Sequence, residues 1–514
     1  MDNLAPLGTG AWFFIGCYLS SLLLIGWLAK QARRKNTMQD FYLAGKGFGS
    51  VMLFMTLFAT QYSGNTFFAF TGATYRIGYS WIVCLHFMTA IIVVYLLFAE
   101  RLHVLAKNKN YLTPGDFVQD RYRSTALTAI VAIVMIAVLC NFLLAQLMAM
   151  GRAMEGLNPA NGTTAYNMGV IVLALIMVIY GTLGGMRAVV WTDALQGAIL
   201  IVGFVLLVIA LLELFGPIGK ATQILIERDN MSGTRFASVP NAAQCREWLS
   251  YIIGVGFAFS LYPQAIQRIY AARDAATLKR SLLVMAFMPL PTMIIVVMTG
   301  IIALAYLPGL EGSSADQIFG SLLRKVQTSS MFGYGLVLVI LSAVLAAMMS
   351  TADSALLSLS SMLTKDIFAR CFLSKASEDQ LTLIGKAFSW TVLLILVLLA
   401  VGLREKSSLV QLLDRKLDLL IQIAPVFILG IRWKMLDGLA ATIGLLTGII
   451  IALFLAFCDL SFVQNGKIFG FHPGVVAIIP NLAITILLSL WFNGQLAVGK
   501  HKQNRPSKST KTIG

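Results

Sequence analysis

Between residues 346 and 361 the chain reads AAMMSTADSALLSLSS, an apolar run carrying hydroxyls and one acid. Residues three and four apart are neighbours on a helix. Ser350, Thr351, Ser354, Ser358 and Ser361 therefore form one hydroxyl stripe, with Asp353 beside it. Hydroxyl, carboxylate and carbonyl oxygens are hard ligands that can replace the water around an alkali cation. Small serines and alanines also let helices pack closely, which explains the small residues but not Asp353. An acid at membrane depth is costly and marks function by default. The same holds for Asp193 in VVWTDALQG.

Two further runs combine polar residues with helix breakers. LFATQYSGNTFFAFTG places Thr60, Gln61, Ser63, Gly64, Asn65 and Thr66 in the middle of an apolar stretch. GVGFAFSLYPQAIQRIY places Ser260, Tyr262, Pro263 and Gln264 at the corresponding depth of another. Pro263 removes a backbone donor and frees the carbonyl four residues earlier. Gly64 tolerates unwinding. Unpaired backbone at membrane depth persists only where it lines a cavity or is buried in protein.

The elements that must hold these residues are membrane spans. Of 514 residues 58% are hydrophobic and 12% charged, against about 25% charged in soluble domains, and the mean hydropathy is +0.81. A cytosolic enzyme, a disordered chain and a nucleic-acid-binding protein are excluded together. Six scattered cysteines without a CxxC suggest neither a disulfide framework nor a metal site. A span needs roughly 20 mostly apolar residues. Thirteen candidates follow: about 11–29, 49–73, 80–99, 125–150, 167–184, 190–215, 248–269, 281–306, 334–363, 384–402, 409–431, 438–457 and 474–493. The first is not read as a cleavable leader, because its basic cluster KQARRK follows it. With the N-terminus outside, 26 of the 39 Lys and Arg residues fall on the inner side. That is the bias expected of cytoplasmic loops. It implies N-out, C-in topology in the cell (inner) membrane, with 501–514 a basic cytoplasmic tail.

The broken spans 2 and 7 are five apart and run in opposite senses across the bilayer. That is the relation of two inverted five-helix repeats, each opening with a discontinuous helix, which points to a transporter with its site at the midplane. The fold expected is an all-α polytopic membrane protein of about 13 spans. Inverted repeats over about 49–215 and 248–431 lie in a single domain (1–500), with one extra helix before them and two after.

The sequence resembles the sodium/solute symporters, whose members have the LeuT-type five-plus-five inverted-repeat fold. The motifs are DFYLAGKGFG (40–49), ATQYSG (59–64), TYRIGYSW (74–81), YGTLGGMRAVVWTDALQG (180–197), QRIYAARD (267–274) and AAMMSTADSALLSLSS (346–361). The likeness is nearest to the proline/pantothenate-type branch. It implies a main sodium site between spans 2 and 9, formed by the carbonyls of Ala59, Tyr62 and Ala347 and the hydroxyls of Ser350 and Thr351. Some members have a second site, here Asp193, Ser350, Asp353 and Ser354. Asp353 stands where relatives carry a small or hydroxyl residue, so it either strengthens that site or offers a protonatable group. Proline carriers have an acid where this chain has Gln61.

Solute is expected near the midplane. Candidate lining residues are Gln61, Ser63, Asn65 and Thr66 of span 2, His86 of span 3, Asn141 and Gln146 of span 4, and Tyr262, Pro263 and Gln264 of span 7. Sugar carriers of the family have Asn-Gln at the span 7 motif, and proline and pantothenate carriers Pro-His, against Pro263–Gln264 here. A carboxylate-bearing solute (an amino acid, a pantothenate-like vitamin or an organic acid) is favoured over a neutral sugar. A half-helix N-terminus also favours an anionic group. Span 11 is unusual in carrying Asp414, Arg415, Lys416 and Asp418. Either these charges sit structurally at the outer interface, or Arg415 or Lys416 reaches the pocket to pair with a substrate carboxylate.

The resulting reading is a sodium-coupled symporter working by alternating access as a monomer, with sodium, a small solute and the lipid bilayer as its partners. Alternatives are a sugar-type symporter, a proton-coupled carrier using Asp353, or a transporter-like sensor. No nucleophile–base pair, metal cluster or phosphate loop supports an enzyme.

Overall fold

Apolar runs without a breaker form long helices here, and the interruptions fall on Gly, Pro and polar residues. The computed structural model describes residues 9–33, 37–157, 161–372, 375–404, 416–458, 463–464 and 466–503. In chain order the helices are α1 (Thr9–Gln31), α2 (Met38–Leu43), α3 (Ser50–Gln61), α4 (Gly64–Phe67), α5 (Ala69–Ile77), α6 (Val83–Lys109), α7 (Pro114–Tyr122), α8 (Thr125–Leu157) and α9 (Gly162–Gly184). They continue with α10 (Met186–Phe215), α11 (Ile218–Ser232), α12 (Ala242–Ser260), α13 (Pro263–Ala271), α14 (Ala275–Phe287), α15 (Pro289–Tyr306), α16 (Ile318–Ser329), α17 (Met331–Met362) and α18 (Glu378–Gly402). Single turns over Ile421–Ile423, Pro425–Leu429 and Gly430–Arg432 precede two last long helices, Gly438–Phe457 and Pro473–Gln503.

Among the described residues ten helices are long and apolar enough to cross a bilayer, or eleven with the bent pair α12–α13 as one span. The expected count of thirteen differs from this at spans 2 and 11. Span 2 divides after Gln61, which leaves α3 too short to cross alone, while α5 runs on into α6. Of expected span 11, residues 409–415 lie outside the described residues, and 416–432 are helical throughout, passing between α, 3-10 and π turns. The basic tail is likewise outside them from 504 onward.

The centre of the bundle is α17, buried from Leu336 nearly to its end and packed on α10, α8, α3 and α13. Small residues permit this closeness: Gly203 of α10 has no room for a Cβ against Ala343 of α17. The outer faces carry Phe13, Trp27, Phe287, Leu398, Ile450 and Leu487 exposed, an apolar belt that lipid covers. Charges gather at the two ends. At one end Arg76 of α5 meets Asp316 at 2.9 Å. At the other, Lys365 and Arg370 reach Asp116 of α7 at 2.7 and 3.5 Å, and Arg187 reaches Asp40 at 3.0 Å. Asp274 caps α14 by accepting from the Thr277 amide at 2.7 Å. That bond, with Arg273 beside it, holds its carboxyl down at about 2.

Candidate functional site

The first break lies between α3 and α4. The last four carbonyls of a helix lack helical donors. Here the Ser63 amide, which would close on the Ala59 carbonyl, donates instead to Thr66 Oγ1 at 3.2 Å. Tyr62 is extended (φ −98°, ψ 112°). The Gly64 amide, opening α4, donates to Gln146 Oε1 of α8 at 3.3 Å. Thr351 of α17 faces this break, its hydroxyl donating to the Thr60 carbonyl at 3.3 Å and lying 2.9 Å from the Ala347 carbonyl. Ala59, Tyr62, Ala347, Ser350 and Thr351 are all fully buried.

The second break lies between α12 and α13, which bend by 52°. Pro263 cannot donate to the Phe259 carbonyl. That oxygen accepts instead from the Tyr262 amide at 3.3 Å and from Tyr95 OH at 3.5 Å. The bend carries Arg268 of α13 into the bundle, where it is 1% exposed. Its Nη2 pairs with Asp193 Oδ2 of α10 at 3.0 Å and also donates to Ser354 Oγ. Nε donates to Thr56 Oγ1 at 2.8 Å and Nη1 to the Gln264 carbonyl at 3.0 Å. Asp193 further accepts from Thr56 Oγ1 and, at 2.6 Å, from Ser350 Oγ. Asp353, one turn along α17, accepts from Tyr180 OH at 2.6 Å and Ser354 Oγ at 3.1 Å.

The hydroxyl stripe of α17 therefore closes three seams. Thr351 meets the α3–α4 break, Ser350 and Ser354 meet the Asp193–Arg268 pair, and Ser358 and Ser361 bond Gln267 of α13 at 2.6 Å each. The four residues expected for a second ion site are brought together, with the Arg268 guanidinium seated against Asp193 and Ser354. Sequence reasoning gave this arginine, at the end of expected span 7, no role in the site. The only local signal was its place in QRIY, one turn after the Pro263 break.

Between the two breaks lies a cavity of about 680 Å³, its mouth included. Of the expected lining residues, Gln61, Ser63, Thr66, Tyr262 and Gln264 form its wall, joined by Thr60 and by Arg268. Gln146 caps α4 from behind instead. Asn141 and Pro263 are not on the wall, and His86 is exposed and stacks on Trp248 at 5.7 Å. The Asn65 side chain lies outside the described residues. The Thr60 hydroxyl, Tyr262 OH and Gln264 Oε1 are buried without a hydrogen-bond partner among the described residues. Apolar walls come from Met88 and Ile91 of α6 and from Phe142 and Phe259.

Asp414 and Arg415 lie outside the described residues. Lys416 and Asp418 part company. Lys416, 1% exposed, lines the cavity with Nζ 4.2 Å from the Phe142 ring centroid. Asp418 accepts from the Gly474 amide at 2.7 Å, holding the start of the last helix. Both residues are therefore buried, Asp418 against the start of the last helix and not at an outer interface, and Lys416 at the cavity wall.

Comparison with known proteins agrees with this geometry. A family model described as the sodium:solute symporter family matches residues 41–448. The osmoregulated proline transporter OpuE of Bacillus subtilis is 26% identical over 483 residues, covering 93% of each chain. The sodium/pantothenate symporter of Haemophilus influenzae is 26% identical over 464 residues, covering 88% of this chain and 89% of that one. A solved structure of a Na+-coupled sialic acid symporter, substrate-bound and outward-open, superposes with a TM-score of 0.75 at 19% identity. It covers 94% of this chain and 98% of its own.

Proposed function

The chain belongs to the sodium:solute symporter family, and from that premise we propose that it imports a small carboxylate-bearing solute with sodium by alternating access. It is a multi-pass membrane transporter and not an enzyme, with sodium and a small molecule as its co-substrates. The inner membrane, an outside N-terminus, a cytoplasmic C-terminus and a monomeric working unit belong to the same proposal. So does the single domain with its two repeats.

The observation that carries the reading is the meeting of the Thr351 hydroxyl with the interrupted end of α3, at the edge of the cavity. The carbonyls of Ala59, Tyr62 and Ala347 and the hydroxyls of Ser350 and Thr351 form a neutral oxygen set of the kind a desolvated alkali cation takes. The donor set fits sodium because the helical ladder stops there: the Ser63 amide has turned to Thr66 and leaves the Ala59 carbonyl without it. A cation in this place ties α3 to α17 and orders Thr60, Gln61 and Ser63, which are also cavity wall. Sodium affinity and solute affinity are then coupled reciprocally. The Arg268 guanidinium already supplies a fixed positive charge to Asp193, which favours one sodium per cycle over two. The relatives handling proline and pantothenate, both carboxylate-bearing, support the solute class. The N-terminal turns of α4 and α13 both contribute to the wall, where an anionic group is favoured.

The test is sodium-dependent thermal stabilisation of the purified protein, with potassium as the replacement ion. A ligand that binds the folded state stabilises by mass action. Removing one liganding hydroxyl costs about 1–2 kcal/mol, so Thr351→Ala should need on the order of tenfold more sodium for the same shift. An unchanged sodium dependence in both Thr351→Ala and Ser350→Ala removes the assigned site.

A further inference from the structure

We propose that the end of the bundle where α1 finishes and α18 begins binds the phosphate of an anionic phospholipid, with Lys30, Arg33 and Lys386 around it. The site is separate from those of sodium and solute, and on the proposed orientation its lipid belongs to the inner leaflet. At its centre is Phe41, a buried ring on the short helix α2. Two neighbouring helices hold α2. Arg187 of α10 pairs with Asp40 at 3.0 Å, and Glu378 of α18 accepts from the Met38 amide at 3.0 Å. Over the ring stand two cations from distant parts of the chain. The Arg33 guanidinium carbon lies 5.3 Å and Lys386 Nζ 5.2 Å from its centroid. Arg33 and Lys30 both act on the Lys386 ammonium as like charges. Like charges brought together disfavour one another, and a phosphate among them turns that repulsion into attraction. Lys30 and Lys386 form no ion pair among the described residues. The neighbouring stretches 34–36 and 373–374, outside those residues, contain no Asp or Glu in the sequence. Asp379 stands in the exposed first turn of α18, about two turns before Lys386.

Two exposed tryptophans make the ligand a lipid rather than a soluble phosphate. Trp27 lies one turn before Lys30 and Trp390 one turn after Lys386, each on the same helix face as its lysine and each exposed. Because α1 ends here and α18 starts here, both rings stand one turn deeper toward the bilayer centre than the charges. Tryptophans at that level mark the boundary between head groups and acyl chains. Lysine stems lie along apolar surface and carry their ammonium groups out to the head groups. Between the two lysines runs α9, which packs against both α1 and α18. Basic pockets between spanning helices are where anionic head groups bind.

The experiment uses the full-length protein in detergent, stripped of lipid, and reads thermal shifts. The probes are dioleoylphosphatidylglycerol, dioleoylphosphatidylcholine, glycerol 3-phosphate and inorganic phosphate. A bound lipid stabilises by mass action. In the wild type phosphatidylglycerol should act at concentrations about tenfold or more below phosphatidylcholine, and the two soluble phosphates should not act in that range. Each lysine near a charged membrane surface is worth about fivefold in affinity. Lys30→Gln with Lys386→Gln should therefore bring phosphatidylglycerol close to phosphatidylcholine, while Lys30→Arg with Lys386→Arg should keep the preference. Lys279→Gln with Arg280→Gln, an exposed pair on α14, should also keep it. A preference lowered equally by both neutralised pairs would show general surface attraction and overturn the proposal. So would phosphatidylglycerol acting no better than phosphatidylcholine in the wild type, a preference that survives Lys30→Gln with Lys386→Gln, or a soluble phosphate acting as well as the lipid. A melting temperature without lipid equal to wild type shows that the variant is folded. Lost sodium dependence with the lipid preference intact would overturn the sodium reading and leave this one standing.

Discussion

At the scale of single residues, the Asp193–Arg268 pair holds the site. Both partners are essentially without solvent contact, so removing either leaves a buried charge uncompensated, at a cost of about 3–5 kcal/mol. Asp193→Asn and Arg268→Gln should each lower the melting temperature of the purified protein sharply, and the double variant should regain part of the loss. A double variant no better than the worse single would show that the two residues do not act as a pair. Arg268→Lys should fail to restore stability. One ammonium cannot serve Asp193, Thr56 and the Gln264 carbonyl, which three different guanidinium nitrogens reach. The acid was legible in the sequence because a carboxylate in an apolar run stands out. Its partner was not, since Arg268 stands at the very end of expected span 7, where a charge reads as facing water, and the 52° bend at Pro263 brings it inside. Lys416 was legible as an anomaly and unresolved as to role, because facing Phe142 depends on the packing of segments far apart in the chain.

At the scale of elements, the breaks were legible because breakers act locally. Gly64 and Pro263 end helical ladders wherever the rest of the chain lies. What closes the breaks was hidden, because the partners are distant: Gln146 for the Gly64 amide, Tyr95 for the Phe259 carbonyl. An interrupted apolar run still looks continuous to a hydropathy window, so expected span 2 reads as one span where the structure has α3, α4 and α5. Gly64 itself is tightly fitted. A Cβ there would stand 2.6 Å from Met348 Cγ and 3.1 Å from Ala149 Cβ. Gly64→Ala should therefore push α4 from α17 and raise the sodium needed for half-maximal stabilisation several-fold. Met348→Ala in the same chain should restore it, because the obstructing atom is removed. Failure of that rescue would place the effect in backbone conformation rather than in packing.

At the scale of the whole molecule, ion pairs pin both ends of the bundle. Arg76–Asp316 closes one end, and Asp116 with Lys365 and Arg370 closes the other. Alternating access requires the two sets to loosen in turn. With a single cysteine placed at Thr66 in a chain lacking its own cysteines, Asp316→Asn should speed modification by an impermeant thiol reagent added outside. Asp116→Asn should slow it. The same direction of change in both variants would contradict opposed closures. The test proceeds from the proposed orientation with the N-terminus outside, an expectation drawn from the charge distribution; the pairing of charges across distant segments left no such signal. The seating of Arg268 against Asp193 also bears on what drives the cycle. A guanidinium held by Asp193 goes and returns with the protein, so the charge moved in a cycle is that of the sodium and the solute alone. On the proposal of one sodium per cycle, membrane voltage would drive uptake of a solute without net charge and would not drive uptake of a monoanion, so a transport current reports the charge of the cargo.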